Sequence, residues 1–180
     1  IKHDMYLAAC FAPSPGNIQP WRINWSDDTL QIEVRRELTT RMDVQWRGAM
    51  VSLGAACFNA EVVAAEHQQK VKVVSFPEKE QPDLITNLTL GKSKRSVNPL
   101  KRFYPQLLTR KTNRELSHRQ AIPADVMSQL ASVCEDYPVK LHSLSSKSQL
   151  DDYSKIAVES DRLRHLCAHL HQEMMGELAW

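Results

Sequence analysis

The chain has 180 residues, 42% apolar and 24% charged, with a formal net charge of +2. That is an ordinary soluble globular composition, long enough to bury roughly 70% of the unfolded surface around one core. No apolar run reaches membrane-spanning length and no basic-then-apolar signal opens the chain, so the expected location is the cytoplasm, with no membrane partner. Cys10, Cys57, Cys134 and Cys167 lie far apart, form no CxxC pair and sit among apolar neighbours. They read as reduced core thiols and not as a disulfide frame. The chain starts at Ile1 and ends at Trp180 on an apolar helical pattern without a stop signal, which reads as a fragment of something longer.

Residues 1–12 are apolar enough for a short helix that Pro13 ends. The stretch APSPGNIQPW follows (12–21), with two prolines and a glycine that forbid a helix and with Asn17, Gln19 and Trp21 in quick succession. A plain turn into a strand is the simplest reading. Trp21, Ile23 and Trp25 alternate, an SDD turn intervenes, and Leu30, Ile32 and Val34 alternate again, which predicts a β-hairpin.

From Trp46 to His67 the sequence is helical in length, rich in Ala and apolar almost all round. It is expected to be a buried central helix whose Gly48, Ser52, Ala55, Ala56 and Ala60 admit a close neighbour. VKVVSFP and LITNLTL are two expected strands, separated by the turn EKEQPD. NPLKRFYPQLL is a weak helix interrupted by Pro105, and Pro123 opens a helix with Val126, Leu130, Val133 and Cys134 on one side. VKLHSL reads as a short strand, and the chain from Ser146 onward as one long amphipathic helix carrying Leu163, Leu166, Leu170 and Met174. The class is α+β, with no low-complexity linker and no short repeat.

Charge is uneven. From Lys92 to Arg119 nine Lys or Arg (92, 94, 95, 101, 102, 110, 111, 114 and 119) face one acid, Glu115. A solvated basic face is the plain reading, and the stretch follows no nucleic-acid-binding pattern. Within it, Arg110, Lys111, Thr112 and Arg114 bring three cations and a hydroxyl into five residues, a combination suited to a phosphomonoester. No GxGxxG or GxxxxGK loop is present to cradle a nucleotide by backbone amides.

APSPGNIQPWRI resembles the APSxxNxQPWxF motif of the FMN-dependent nitroreductases, and RKTNREL resembles that family's RRSxRxF phosphate motif. The order of the two is reversed here and the gap is about ninety residues, a pattern similar to the internally duplicated, Acg-like nitroreductases. DVQWRGAMVSLGAACFN (43–59) also resembles the DxxxRxxxxSxGAAxxN segment of that subfamily. The resemblance covers Tyr6 to about Ile122 well and the last sixty residues only by helix pattern.

The resemblance implies a nitroreductase-like α+β fold: an antiparallel-rich mixed sheet, a long central helix and flanking helices, arranged as a pseudo-dimer of two half-domains. Residues 1–97 would form the first half, with the PSPGNIQPW loop, and residues 98–180 the start of a second, truncated half with the RKTNR grip. FMN is the implied cofactor. Ser14, Asn17 and Gln19 would bond the flavin ring and ribityl edge, and Pro13 and Pro15 would shape the loop. Arg110, Lys111, Thr112 and Arg114 would hold the phosphate.

The implied activity passes hydride from NAD(P)H through FMN to a small acceptor such as a nitroaromatic or quinone. No acid-base triad is needed, and no catalytic side chain stands out. The alternative is a non-catalytic FMN-binding or sensing domain of a larger protein. A homodimer, or fusion to a ThiF-type adenylyltransferase domain, are the partner arrangements the resemblance implies. A third reading is a metal site on the last helix, where Asp161, His165 and His169 are four apart and His171 is close, but a solvated polar face explains them more simply. No metal is expected.

Overall fold

The computed structural model describes residues 1–94, 98–115, 120–135 and 137–178. The chain divides into two compact units, one formed by Ile1–Lys111 with Ala168–Trp180 and the other by Thr112–Cys167.

In the first unit, α1 (Lys2–Cys10) leads into a loop and then a hairpin of β1 (Trp21–Ser26) and β2 (Thr29–Val34). Asp27 and Asp28 form the two-residue turn, and Asp27 takes the positive φ of 47° that such tight turns demand. Helix α2 (Arg47–Glu66) follows, then β3 (Gln69–Ser75) and β4 (Leu84–Lys94). The sheet order is β1-β2-β4-β3 and every pairing is antiparallel. The mixed sheet expected from the resemblance therefore gives way to an antiparallel one among the described residues, because consecutive strands here join as hairpins or across a helix without any parallel crossover.

The core lies between the sheet and α2. Leu30, Ile32 and Leu88 from the sheet and Leu53, Ala56, Ala60 and Val62 from α2 are fully buried. Helix α1 covers another side of α2. The two are tied by the Asn59 side-chain amide, which donates to the Ala8 carbonyl at 2.9 Å in a buried setting, and by the His67–Asp4 pair at 3.2 Å. Helix α2 is long and apolar enough, by length and composition, to cross a membrane, yet 61% of that stretch is buried inside the fold. It serves as the core helix of this unit.

Residues 99–103 make a short 3₁₀ turn, capped by Asn98, whose side chain accepts from the Leu100 amide. Helix α3 (Tyr104–Leu107) follows directly. Pro105 sits in its first turn and does not interrupt it, since the amide that proline lacks has no helical partner there anyway. The second unit holds α4 (Ala124–Glu135) and α5 (Lys147–Leu166). Ser146 and Gln149 form a capping box at the start of α5. Helix α6 (Ala168–Leu178) then returns to the first unit, where the Glu173 carboxylate accepts from the Arg41 amide at 3.0 Å.

Two expectations are corrected here. The strand expected at 139–144 is absent: these residues have no regular structure, because no neighbouring strand offers them a ladder. The single helix expected beyond Ser146 is two, α5 and α6, divided at Cys167, whose ψ of 113° is extended. No described residue of the second unit is buried.

Candidate functional site

The loop from Ala12 to Pro20 is built by its prolines. Ser14 is extended (φ −141°, ψ 148°), as a residue before proline prefers, and Pro15 opens a one-turn 3₁₀ segment through Asn17. Gly16, Asn17 and Gln19 all take left-handed backbone, with φ of 58°, 57° and 48°. Gly16 does so freely, whereas each non-glycine residue costs about 1 to 3 kcal/mol, so the surroundings must enforce the shape. Ser14 is the main enforcer. Its carbonyl accepts from the Asn17 amide at 3.0 Å, and its hydroxyl oxygen accepts from the Gln19 amide at 3.0 Å. Downstream, the carbonyl of the buried Pro20 accepts from the Arg35 amide at 3.0 Å, which pins the loop to the end of β2.

This shape holds the Asn17 and Gln19 side chains outward. Among the described residues neither amide side chain has a hydrogen-bond partner. They line an open polar groove of about 550 Å³ with Tyr6, Asn24, Arg22 and Arg35. Arg22 faces Glu33 at 3.5 Å and Arg35 faces Glu37 at 2.8 Å. The hydrogen bond from Arg35 holds the Glu37 carboxyl below its usual range. Burial pushes the nearby Cys10 thiol upward.

The other side of the loop meets the start of α2. Pro13, Ser14 and Pro15 line a second, largely apolar concavity of about 510 Å³ with Arg47, Gly48, Val51, Ser52 and Ala55. Gly48 makes that approach possible: a Cβ there would lie 3.3 Å from both the Pro15 ring and an Asp43 carboxylate oxygen. The Asp43 carboxylate accepts from the Gly48 and Ala49 amides at 2.7 and 2.9 Å, so it caps α2 and neutralises its positive end. Gln45 and Trp46 are left-handed too, and the Arg36 guanidinium lies 4.2 Å from the centre of the Trp46 ring.

In the 43–59 segment, then, most polar residues shape the fold. Asp43 caps, the Ser52 hydroxyl donates to the Gly48 carbonyl at 2.8 Å, and Asn59 ties α2 to α1. Arg47 is different: it is exposed, donates to Gln45 at 2.9 Å and borders the apolar concavity. Arg47 is the arginine of the DxxxRxxxxSxGAAxxN resemblance, whereas the groove residues Arg22 and Arg35 do not stand out in the sequence, since single arginines on a strand or at its end carry no spacing signal.

Pro13, Ser14, Asn17 and Gln19 thus come together in one loop. Arg110 and Lys111 belong to the first unit, and Thr112 and Arg114 to the second. All four are exposed, and among the described residues none of the three cations has an ion-pair partner. The Arg110 amide donates to the Gln106 carbonyl at 2.9 Å, and the Glu115 amide donates to the Asn113 side chain at 2.9 Å. Elsewhere in the basic run Lys101 faces Glu66 at 3.5 Å and Arg102 lies over the Phe103 ring, while Arg95 and Arg119 lie outside the described residues.

Of the cysteines only Cys57 is buried; Cys10, Cys134 and Cys167 are half-buried, and none of the four is in a disulfide. Burial pushes the Cys57 thiol up to about 12, and its sulfur donates to the Glu61 carboxylate at 3.6 Å. The Asp161 carboxylate engages Arg164 at 2.7 Å, and α5 ends at Leu166, so His165 and His169 belong to separate helices. Among the described residues no three His, Cys, Asp or Glu gather in metal-holding geometry.

The chain is 35% identical over 173 residues, 96% of its length, to the uncharacterized protein MT1398 of Mycobacterium tuberculosis. It spans 24% of the length of that curated relative. No protein-family model matches the chain.

Proposed function

We propose that this chain is a nitroreductase-like, FMN-binding domain of the internally duplicated Acg-like kind, with one motif in each half, 1–97 and 98–180. The observation that carries the reading is the loop, whose left-handed Asn17 and Gln19 hold two unpartnered amides outward at an energetic cost. A ligand with hydrogen-bonding edges gives that cost a purpose. The residues present suit FMN chemically: amides and the Ser14 hydroxyl for the ring and ribityl edge, and the cations of 110–114 for a phosphate. The first amides of α2 are occupied by Asp43, so phosphate recognition falls to the side chains of Arg110, Lys111, Thr112 and Arg114.

Bound FMN would supply hydride transfer between NAD(P)H and a small acceptor such as a nitroaromatic or quinone. The chain's own groups bind and orient: Pro13 and Pro15 fix the loop, Asn17 and Gln19 present amides to the ring edge, and the apolar wall of Val51 and Ala55 offers a surface for a flat ring. Four thiols outside any disulfide suit the reducing cytoplasm, where we place the protein.

The test is the visible absorbance of the purified protein, with heat release and identification of any yellow compound, followed by titration of FMN and riboflavin. Replacing Arg110 and Arg114 together with Ala should weaken FMN at least about tenfold and riboflavin far less, since only the phosphate contacts are lost. Equal losses for both ligands, or no binding of either, overturn the reading. FMN binding without NAD(P)H oxidation identifies a binding module and not an enzyme.

A further inference from the structure

The loop 12–20 borders two concavities, and the one on its α2 side carries a charge that the flavin contacts leave unused. Pro13 and Pro15 line it from the loop, and Gly48, Val51 and Ala55 line it from α2. The loop comes this close because Gly48 has no side chain: a Cβ there would stand 3.3 Å from the Pro15 ring. Val51 is 75% exposed, so the apolar surface of this concavity is open to whatever enters. Its volume of about 510 Å³ lies in the range of small-molecule sites, which combine apolar walls with a few polar groups that fix orientation.

Three polar residues border the apolar surface. The Ser52 hydroxyl is committed, since it donates to the Gly48 carbonyl at 2.8 Å. The other two keep donors to give. Arg47 is exposed; its guanidinium donates to the Gln45 side chain at 2.9 Å and has no ion-pair partner among the described residues. The Asp43 carboxylate, four residues earlier, is occupied by the Gly48 and Ala49 amides at 2.7 and 2.9 Å. The Ser14 hydroxyl accepts from the Gln19 amide and, among the described residues, donates to no acceptor.

This charge balance selects a ligand class. One planar guanidinium matches a carboxylate in a two-pronged bond and balances a single negative charge. A phosphate would bring a second charge against apolar walls with no second cation to meet it, which is unfavourable. An exposed arginine alone holds a carboxylate weakly, so the rest of the affinity has to come from apolar surface covered by the ligand's body. A flat ring laid on the prolines and Val51 supplies it.

We propose that this concavity binds a small aromatic carboxylate, with its ring against Pro13, Pro15 and Val51 and its carboxylate on Arg47 and Ser14. The proposal rests on the flavin reading only in naming this molecule as the acceptor, and the binding is tested on protein without FMN. In titrations followed by proton NMR of the ligand, benzoate should bind at least about tenfold tighter than neutral benzamide, and tighter than phenyl phosphate. Arg47→Gln should abolish the preference for benzoate while leaving benzamide within about twofold, which shows that the concavity is intact. Arg47→Lys keeps the charge without the fork and should fall between the two. Val51→Asp should weaken benzoate and benzamide alike. No binding of benzoate by the parent, a preference that survives Arg47→Gln, or tighter binding of phenyl phosphate than of benzoate each overturns the proposal. A protein that retains FMN but ignores benzoate loses this proposal and keeps the flavin reading, whereas one that binds benzoate through Arg47 but never takes FMN keeps the site and loses the flavin reading.

Discussion

In the first unit Leu30, Ile32, Leu53 and Leu88 meet around α2 and lose all contact with water, whereas in the second Leu130, Ile156 and Leu163 sit on equally regular helical stripes and remain open. The sequence patterns of the two regions are of the same kind. What differs is the supply of partners: α2 has a sheet on one side and α1 on another, while α4 and α5 find no covering element among the described residues. Periodicity states which face of a helix needs cover. It does not state what provides it.

The contrast can be broken by mutation. Leu53→Ala removes a fully buried side chain from the closed core and should cost about 2 to 5 kcal/mol in urea unfolding followed by tryptophan fluorescence. Because its contacts lie within one unit, that loss should be the same at every protein concentration. A loss below about 1 kcal/mol would show that the first unit is far looser than its burial indicates.

A smaller effect sharpens the link between core and loop. Asp43→Ala leaves the Gly48 and Ala49 amides without their carboxylate and should cost about 0.5 to 2 kcal/mol. The same change should loosen the loop that rests on Gly48, visible as faster amide exchange at Asn17 and Gln19. Unchanged exchange at those two amides would separate the cap from the loop.

The smallest effect is a pH signature of the core helix. Burial raises the Glu61 carboxyl above its ordinary value of 4.5, opposed by the hydrogen bond from Cys57. The fold therefore favours the protonated form, so the stability linked to this group is complete below the unfolded value and falls as pH rises through the higher folded one. Glu61→Gln keeps an acceptor for Cys57 and never ionises. Its melting temperature relative to the parent should be close to unchanged near pH 4 and slightly higher near pH 7, and a variant that is less stable at both would refute the assignment.

Much of the first unit is legible in the residue pattern. Alternation at Trp21, Ile23 and Trp25 and again at Leu30, Ile32 and Val34 gives the hairpin, because each strand has one buried face. The Ala-rich run gives α2 for the same reason at helical period. The second unit is less legible, and the causes are physical. Val139 and Leu141 alternate as a strand would, but a strand forms only against a neighbour. The break at Cys167 has no Gly or Pro to announce it, so Leu163 through Met174 reads as an unbroken stripe. In the loop, prolines and glycine foretell a turn, while the left-handed backbone of Asn17 and Gln19 emerges only from the bonds that Ser14 makes three and five residues ahead.

Because Asp43 already satisfies the amides that open α2, the helix spends its own positive pole internally. An anion near this loop is then met by the guanidinium groups of Arg22, Arg35 and Arg47 in water and not by a fixed backbone dipole. Attraction of that sort is screened over about 8 Å at physiological ionic strength and over about 3 Å in molar salt. Retention of a phosphate-bearing ligand would accordingly fade as salt is added, long before the core beneath the loop responds.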